Sequence, residues 1–343
     1  DEDTEATGLT SFDADGFSIG TDSNYDVTTG SGMMTWSWDA GTHDPDTSSY
    51  GDINSGTTNY LEHVNVDAGF SIIKYDGDIS GGNQSSSSGY YYDRVAHSLG
   101  KRPELIIIKN RDLEADEGDG PYDLGLTDER WAVWHSYLDG SDGYQFDISA
   151  DNDPQEESSF PLGTTYMGDP VEDDHTSTYF IIANDGDGMS GGFERVNGGY
   201  DSALMYSPFD TSYRFVAYVA VSVPGYSKID YYTANGDTDG NFIYCGFRPA
   251  FLMIKGVLDN RRWWIYDTVR DTMNPATTVL SVDDDVTESD AAGSEGHTFD
   301  VRDIDILSNG FKIRSDNDQI NEDGEDYIFW AIAESPLKFA NSR

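Results

Sequence analysis

The sequence contains one pattern twice, and this internal repeat limits the possible folds more than any other feature does. Residues 97–109 read HSLGKRPELIIIK and residues 243–255 read IYCGFRPAFLMIK, so a glycine, an Arg-Pro pair, an apolar run and a closing lysine recur in register. Farther along, RWAVW at 130–134 matches RWWIY at 262–266. Self-similarity on this scale indicates one domain that has been copied in tandem.

The copies read as β-domains. Short apolar and aromatic runs bounded by Gly, Asp, Asn and Ser recur along the chain, and they predict strands separated by turns. No window of helix length shows the periodicity of an amphipathic helix. We therefore expect an all-β fold made of tandem antiparallel β-sandwich units of the jelly-roll-like type.

The repeat also divides the chain. LTSFDADGFSIG at 9–20 resembles IDILSNGFKIR at 304–314, which belongs to the end of the last copy. We expect residues 1–40 to be the closing strands of a truncated first β-unit, whose opening strands would precede Asp1. Residues 41–66, rich in Gly, Thr, Ser, Asp and Asn, are a predicted linker. Residues 67–224 are the predicted second β-unit and residues 225–343 the third.

The second β-unit carries long polar insertions that the third β-unit lacks, among them 80–93 and 111–129. Long loops on a rigid sandwich are a common location for binding specificity. The candidate receptor-binding residues therefore lie in the first of these insertions, where tyrosines follow a Ser/Gly loop and offer contact area at low entropic cost: Asn83, Gln84, Tyr90, Tyr91 and Tyr92. The alternative is a plain strand that returns from a hairpin.

The charge is strongly acidic. The chain has 64 acidic and 20 basic residues, for a formal net charge of -44, and only 7 of the basic residues are lysine. Aromatic residues make up 13% of the chain, which argues for packed cores and against disorder. Because the acids are spread along the whole chain, a halophilic protein is favoured over a calcium-binding extracellular protein. Clustered Lys and Arg are missing, which argues against nucleic acid as a partner.

Metal and catalytic motifs are weak. Candidate cation ligands lie in acidic loops, but the bidentate Glu of an EF-hand is missing and solvated acidic turns are the favoured interpretation: Asp151, Asp153, Asp185 and Asp187. We expect that the protein requires no cofactor. If these acidic loops bind a ligand, we expect it to be Ca²⁺ or another cation. The six histidines lack zinc-site spacing, and His97 and His135 are interpreted as structural. No catalytic residue is assigned, because carboxylate pairs are unavoidable among 64 acids.

Cysteine usage and hydropathy set two further limits. Cys245 is the single cysteine, so no intrachain disulfide forms, and its apolar strand predicts a buried thiol. No apolar stretch approaches the length of a membrane-spanning helix.

Taken as a set, the motifs resemble the repeated β-domain of tail-fibre and other virion surface proteins of tailed phages, especially marine ones. The matching segments are 97–100, 106–109, 131–135, 307–314 and 327–341. They are interpreted as structural motifs, and their most distinctive residues are Gly100, Pro103, Trp131, Gly246, Pro249, Trp263, Gly310 and Phe311. The chain departs from the family in its acid content and in the insertions of the second β-unit.

The resemblance implies a non-enzymatic virion surface protein, such as a tail fibre or spike, that contacts the envelope of a halophilic host from outside the cell in high salt. It also implies a homo-oligomer. We expect a trimer, or a pentamer if the protein is a capsid turret. Other virion proteins and a host cell-surface glycan or S-layer glycoprotein are the expected partners. Three alternatives stay open: a capsid turret or decoration protein without a receptor role, a cellular extracellular carbohydrate-binding module, and a polysaccharide-degrading enzyme.

Overall fold

A computed structural model describes residues 8–13, 16–21, 35–38, 40–43, 60–76, 84–85, 91–111, 131–138, 144–147, 155–156, 175–184, 214–258, 261–282 and 302–334. These residues form antiparallel strands, with one short α-helix and one 3-10 turn among them. The prediction of an all-β fold built from antiparallel sheets is confirmed.

The N-terminal strands form a hairpin. β1 (Leu9–Asp13) pairs with β2 (Gly16–Ile19), with Phe12 opposite Phe17. This hairpin belongs to one compact body, and all the later strands described below belong to a second compact body. The second body therefore holds the described strands of both the second and the third predicted β-units.

Eleven described strands follow between residues 42 and 220: β3 (Thr42–His43), β4 (Leu61–Asn65), β5 (Phe70–Asp76), β6 (Gln84–Ser85), β7 (Tyr91–Ala96), β8 (Leu105–Asn110), β9 (Ala132–His135), β10 (Tyr144–Asp147), β11 (Gln155–Glu156), β12 (Tyr179–Asn184) and β13 (Arg214–Ala220). They form an eight-stranded sheet of order β11-β10-β9-β8-β13-β5-β4-β3 and a three-stranded sheet of order β12-β7-β6. The 3-10 turn Ser136–Leu138 follows β9.

The described strands after residue 225 are β14 (Ser227–Thr233), β15 (Phe242–Tyr244), β16 (Pro249–Gly256), β17 (Trp263–Asp267), β18 (Leu280–Ser281), β19 (Ile304–Leu307), β20 (Gly310–Ile313) and, after the helix α1 (Asp318–Asn321), β21 (Asp326–Ala333). They form a five-stranded sheet of order β14-β21-β16-β17-β18 and a three-stranded sheet of order β15-β20-β19.

The two β-units share one strand order. β10-β9-β8-β13-β5 in the larger sheet of the second β-unit corresponds to β18-β17-β16-β21-β14 in the third. The registers agree as well, since Ile107 lies opposite Val133 in one sheet and Met253 lies opposite Ile265 in the other. The repeated sequence motif thus encodes a repeated sheet. β3 and β4 extend this sheet from within the stretch 41–66, whose composition predicts a linker.

The smaller sheets differ at one edge. β7 is the central strand of its sheet, because β6 pairs with it on one side and β12 on the other. The corresponding strand of the third β-unit, β15, pairs with β20 alone among the described strands. One edge of β15 therefore has no strand partner within the described part of the chain, whereas the corresponding edge of β7 is covered by β6. We call this the open edge of β15.

Alternation along the strands builds the cores. In β21 the residues Tyr327, Phe329 and Ala331 point into the third β-unit, where they join Leu252 and Ile254 of β16. The corresponding face of β13 carries three fully buried residues of the second β-unit: Phe215, Ala217 and Val219. Because side chains alternate between the two faces of a strand, the residues between these positions face away from each sandwich.

Those outward faces of the two larger sheets contact each other. The rings of Phe70 and Trp330 stack at 6.3 Å between centroids, and Tyr137 meets Tyr231 edge-on at 5.1 Å. The Tyr137 hydroxyl also donates a hydrogen bond to Oδ2 of Asp326 at 3.0 Å. The two sandwiches are thus joined through aromatic packing in addition to the chain connection between β13 and β14.

The repeated lysine and tryptophan of the motif lie on these same outward faces. Nζ of Lys109 lies 5.5 Å from the ring centroid of Trp131. Their counterparts Lys255 and Trp263 are cross-strand neighbours and both are buried. The attraction between a cation and an aromatic ring is stronger when the pair is shielded from water. This pairing gives a structural reason for the recurrence of the motif.

Candidate functional site

The open edge strand β15 exposes two large aromatic side chains. Phe242 is 45% exposed and Tyr244 is 58% exposed, whereas Ile243 and Cys245, which alternate with them, are buried in the core of the third β-unit. Alternation places both side chains on the outward face of the three-stranded sheet, with their Cα atoms about 6.6 Å apart along the strand. They form a two-ring aromatic surface.

The repeat shows that the fold does not need these rings. Alignment on Gly100 and Gly246, which both have a positive φ, sets Phe242 at the position of Ala96 and Tyr244 at the position of Ser98. Ala96 is buried. The same scaffold is therefore built with a methyl group and a hydroxymethyl group at these positions. The aromatic pair is specific to the third β-unit.

Neighbouring groups hold Tyr244 in place. A Cβ atom on Gly246 would lie 3.5 Å from the Tyr244 hydroxyl, so the ring folds back over the turn that follows the strand. Nζ of Lys228 donates a hydrogen bond to the Tyr244 carbonyl at 2.8 Å from the side of the open edge. A lysine at an edge strand opposes pairing with another strand.

An ion-pair network borders the aromatic rings. Lys312 lies directly opposite Phe242 on β20, and its Nζ is 3.0 Å from Oδ1 of Asp239. Arg314 bridges two carboxylates, with Nη1 at 2.9 Å from Asp239 Oδ1 and Nε at 2.6 Å from Asp305 Oδ2. The hydrogen bond and the charge of Lys312 hold the pKa of Asp239 below its usual value. We call Phe242, Tyr244 and these four charged residues the β15 face.

The loop that carries Asp239 is fixed by a buried amide. Asn321 Nδ2 donates to the Asp237 carbonyl at 2.9 Å and to the Ser315 carbonyl at 2.7 Å. Asn321 Oδ1 accepts from the Asn235 backbone N–H at 3.2 Å. Because Asn321 is fully buried, the loop is anchored from inside the sandwich. The β15 face thus combines apolar ring surface with fixed donors and acceptors, which are the parts of a binding surface.

The predicted receptor residues are only partly within the described chain. Tyr91 and Tyr92 lie in β7 and Gln84 lies in β6, so their backbones belong to the smaller sheet of the second β-unit. The remaining predicted receptor residues and the candidate cation ligands lie outside the described residues: Asn83, Tyr90, Asp151, Asp153, Asp185 and Asp187. These assignments stay predictions.

The predicted motif residues lie at turns and strand starts. Gly100 and Gly246 occupy the positive-φ turns before β8 and β16. Pro103 is buried in the turn and Pro249 begins β16, while Trp131 immediately precedes β9. Trp263 begins β17, and Gly310 and Phe311 begin β20. Each therefore lies where the chain enters or leaves a strand.

The two histidines interpreted as structural are buried in the second β-unit. Nδ1 of His135 accepts a hydrogen bond from the Tyr137 backbone N–H at 3.0 Å, and the corresponding Asp267 accepts from the Val269 N–H at 3.1 Å. Nε2 of His97 lies 3.2 Å from the Thr176 carbonyl. Burial lowers the pKa of both histidines, that of His135 to about 4. His135 and Asp267 thus hold equivalent turns.

A buried carboxylate organises the same β-unit. Glu62 is fully buried and accepts hydrogen bonds from the Ser71 hydroxyl at 2.7 Å and from the Ser98 backbone N–H at 2.9 Å. The Ser98 hydroxyl donates a hydrogen bond to the other carboxylate oxygen of Glu62, Oε2, at 2.7 Å. These bonds tie β4 and β5 to the turn after β7, so we interpret Glu62 as structural.

We searched the described ranges for groups of metal-binding side chains and for membrane-spanning helices. There, no three His, Cys, Asp or Glu side chains come together in a way that could hold a metal ion. Nor does the described part of the chain contain a helix long and apolar enough to cross a membrane. Cys245 is buried, and burial raises the pKa of its thiol to about 12.

The β15 face is absent from the sites predicted from the sequence. The run that contains Phe242 and Tyr244 predicts a strand, with no indication of which side of it faces solvent. The available signal was the repeat itself, because the aromatic pair stands where the second β-unit has Ala96 and Ser98. Because the strand forms with either pair of residues, the fold does not require the aromatic pair.

Comparison with known proteins gives a family without a described activity. No curated protein matches the chain, and no solved structure does. A family model matches residues 1–336, which is nearly the whole chain. The chain therefore belongs to the family described as Domain of unknown function (DUF7483).

Proposed function

We propose that the chain is a non-enzymatic adhesion protein on the surface of a tailed virus of a halophilic host, where it contacts the host envelope. The observation that carries this proposal is the β15 face, an exposed aromatic surface on the third β-unit that is missing at the corresponding positions of the second β-unit, Ala96 and Ser98, although the larger sheets of the two units share one strand order. A scaffold copied in tandem, with one copy altered at its surface, is suited to displaying a binding site.

The motif set supports the viral part of the proposal through its resemblance to tail-fibre domains. The acidic composition supports the halophilic part, since molar salt shortens the range of charge repulsion to about 3 Å. A net charge of -44 would strain a compact chain in dilute buffer and is tolerated in salt.

Competition for adsorption tests the proposal. Purified protein is added to host cells in the host's own salt before the virus, and free virus is counted over time. Adhesion predicts dose-dependent slowing of adsorption. The control is the same protein after unfolding, at the same concentration. Unchanged adsorption in the presence of folded protein would contradict the receptor-binding role.

A cellular carbohydrate-binding module is the second candidate, because an aromatic surface beside charged hydrogen-bonding groups suits that class equally. Antibody labelling of purified virus particles separates the two. Label on the tail or capsid supports the viral proposal, and its position distinguishes a fibre from a turret. Label confined to uninfected cells supports the cellular module.

A further inference from the structure

We propose that the β15 face binds a neutral glycan, with a sugar ring stacked on Tyr244 or Phe242 and with sugar hydroxyls bonded to the neighbouring charged residues. This inference deepens the proposed function and takes its biological meaning from it. The binding itself is measured on purified protein, without the virus.

The aromatic rings supply the stacking surface. Phe242 and Tyr244 are about half exposed, and they lie on the same side of a strand. The C–H-rich face of a sugar ring packs favourably against the negative face of an aromatic ring. Two rings at neighbouring outward positions offer this surface to consecutive sugars of a chain.

The ion-pair network supplies hydrogen bonds in both directions. Asp239 and Asp305 offer acceptor oxygens, and Lys312 and Arg314 offer donor N–H groups. A sugar hydroxyl both donates and accepts, so it can join such a network without breaking it. The side chains of Asp239 and Arg314 are both exposed, which leaves them accessible to a ligand.

The charge balance selects a neutral ligand. The network holds two carboxylates and two cations, so its formal charge is zero, and each cation already contacts a carboxylate. An acidic glycan would have to displace Asp239 or Asp305 and would approach a chain of net charge -44. A neutral ligand meets neither obstacle. Its stacking and hydrogen bonds also persist at salt concentrations that screen charge attraction.

The face, and not the strand edge, is the surface offered to the ligand. Strand addition by a peptide would need the free backbone groups of β15. Lys228 already bonds to the Tyr244 carbonyl at that edge, and it also pairs with Asp230 at 3.0 Å. These contacts disfavour a peptide strand and leave the rings uncovered.

The repeat provides the test variant. Phe242→Ala combined with Tyr244→Ser installs the residues that the second β-unit carries at these positions, so the scaffold is expected to fold. The matched control removes exposed apolar side chains elsewhere, by Val269→Ala and Met273→Ala, since these residues are 82% and 77% exposed. Circular dichroism and the unfolding midpoint verify that both variants are folded.

Binding is measured in molar salt to immobilised mannan, β-glucan and galactan as neutral probes, and to polygalacturonate and heparin as acidic probes. We expect retention on at least one neutral polysaccharide, weakened at least tenfold in the double variant and unchanged in the control. Lack of retention on the neutral probes, retention on the acidic probes alone, or equal retention of the double variant would overturn the proposal.

Failure of this inference is distinguishable from failure of the proposed function. If the double variant slows virus adsorption as well as the unaltered protein does, the adhesion protein stands and the β15 face is not its site. If the protein binds neutral glycans through the β15 face yet leaves adsorption unchanged, the site stands and the viral role fails.

Discussion

At the scale of single residues, the second β-unit is notable for three histidines buried in it. His175 is joined to the strand that follows it, because its Nδ1 accepts from the Ile181 N–H at 3.1 Å. Its ring meets Trp134 edge-on at 4.4 Å, and Arg102 and His97 lie nearby. Burial lowers the pKa of His175 to about 3. Together with His97 and His135, it is held uncharged in the folded protein.

These histidines predict that acid destabilises the fold. The unfolded chain takes up protons on them near pH 6.5, whereas folded His135 stays neutral to about pH 4 and folded His175 to about pH 3. The stability that these uncharged histidines contribute is therefore fully present above pH 6.5 and is lost as the pH falls below that value. Each imidazole contributes up to about 1.4 kcal/mol per pH unit. Denaturant unfolding at pH 7 and pH 5, at one salt concentration, measures the loss.

His135→Asn identifies the contribution of one ring. An asparagine oxygen can accept the Tyr137 N–H, as the Asp267 oxygen accepts in the third β-unit, but asparagine does not titrate. The variant should lose less stability between pH 7 and pH 5 than the unaltered protein, whatever its stability at pH 7. An unchanged difference would show that His135 does not carry the pH dependence.

At the scale of elements, the contact between β15 and β20 depends on a glycine. A Cβ atom on Gly310 would lie 2.0 Å from the Ile243 carbonyl oxygen, so the two strands pack too closely for any side chain. Gly100 offers a comparison, because it has φ +69° and a Cβ atom there would meet nothing within 4 Å. A side chain at position 310 is excluded by lack of space, whereas a side chain at position 100 is disfavoured by the backbone conformation alone.

Gly310→Ala should therefore lower the free energy of unfolding by about 3 kcal/mol, through overpacking and strand displacement. Gly100→Ala should lower it by about 1 kcal/mol, the strain of a left-handed backbone. Denaturant unfolding of both variants in molar salt measures the difference. Equal losses would mean that β15 and β20 can separate without penalty.

The strands that the sequence predicted best are those with continuous buried runs. β16 and β17 overlap the repeated segments 243–255 and 262–266, and β21 overlaps the matching segment 327–341, because their inward positions are apolar and the repeat supplies each strand twice. β4 was missed, since its sequence LEHVN places Glu62 at a buried position. A single sequence does not reveal that Ser71 and Ser98 will supply the hydrogen bonds that make this burial possible.

The β15 face was not predictable for a related reason. Alternation in β15 distinguishes two faces but does not say which one meets solvent, and that depends on the order of strands in the sheet. The ion pair of Asp239 with Arg314 joins residues that are 75 positions apart in the chain. Such contacts arise from the pairing of β15 with β20, which spans most of the third β-unit.

At the scale of the whole molecule, the aromatic contact between the two sandwiches predicts that they unfold together. Trp330 stacks on Phe70 of the second β-unit and meets Phe251 edge-on at 5.8 Å within its own sheet. Trp330→Ala removes both contacts, which should cost about 3–5 kcal/mol and uncouple the sandwiches. Calorimetry should show one main transition for the unaltered protein and two for the variant.

Met273→Ala serves as the control, because Met273 is exposed and lies in a loop of the third β-unit that follows β17. It should leave a single transition at an unchanged temperature. Two transitions in the unaltered protein would show that the sandwiches are energetically independent despite their contact.

The presence of the aromatic pair on one β-unit only has a consequence for valency. If the pair described in the third β-unit is not repeated, duplication of the sandwich adds length and rigidity without adding a second equivalent contact. Stacking on one or two rings gives weak binding, and linked sites can raise the overall avidity roughly 100- to 10,000-fold without any new contact. The strength of attachment then increases with the number of chains in an assembly and not with the number of repeats in each chain.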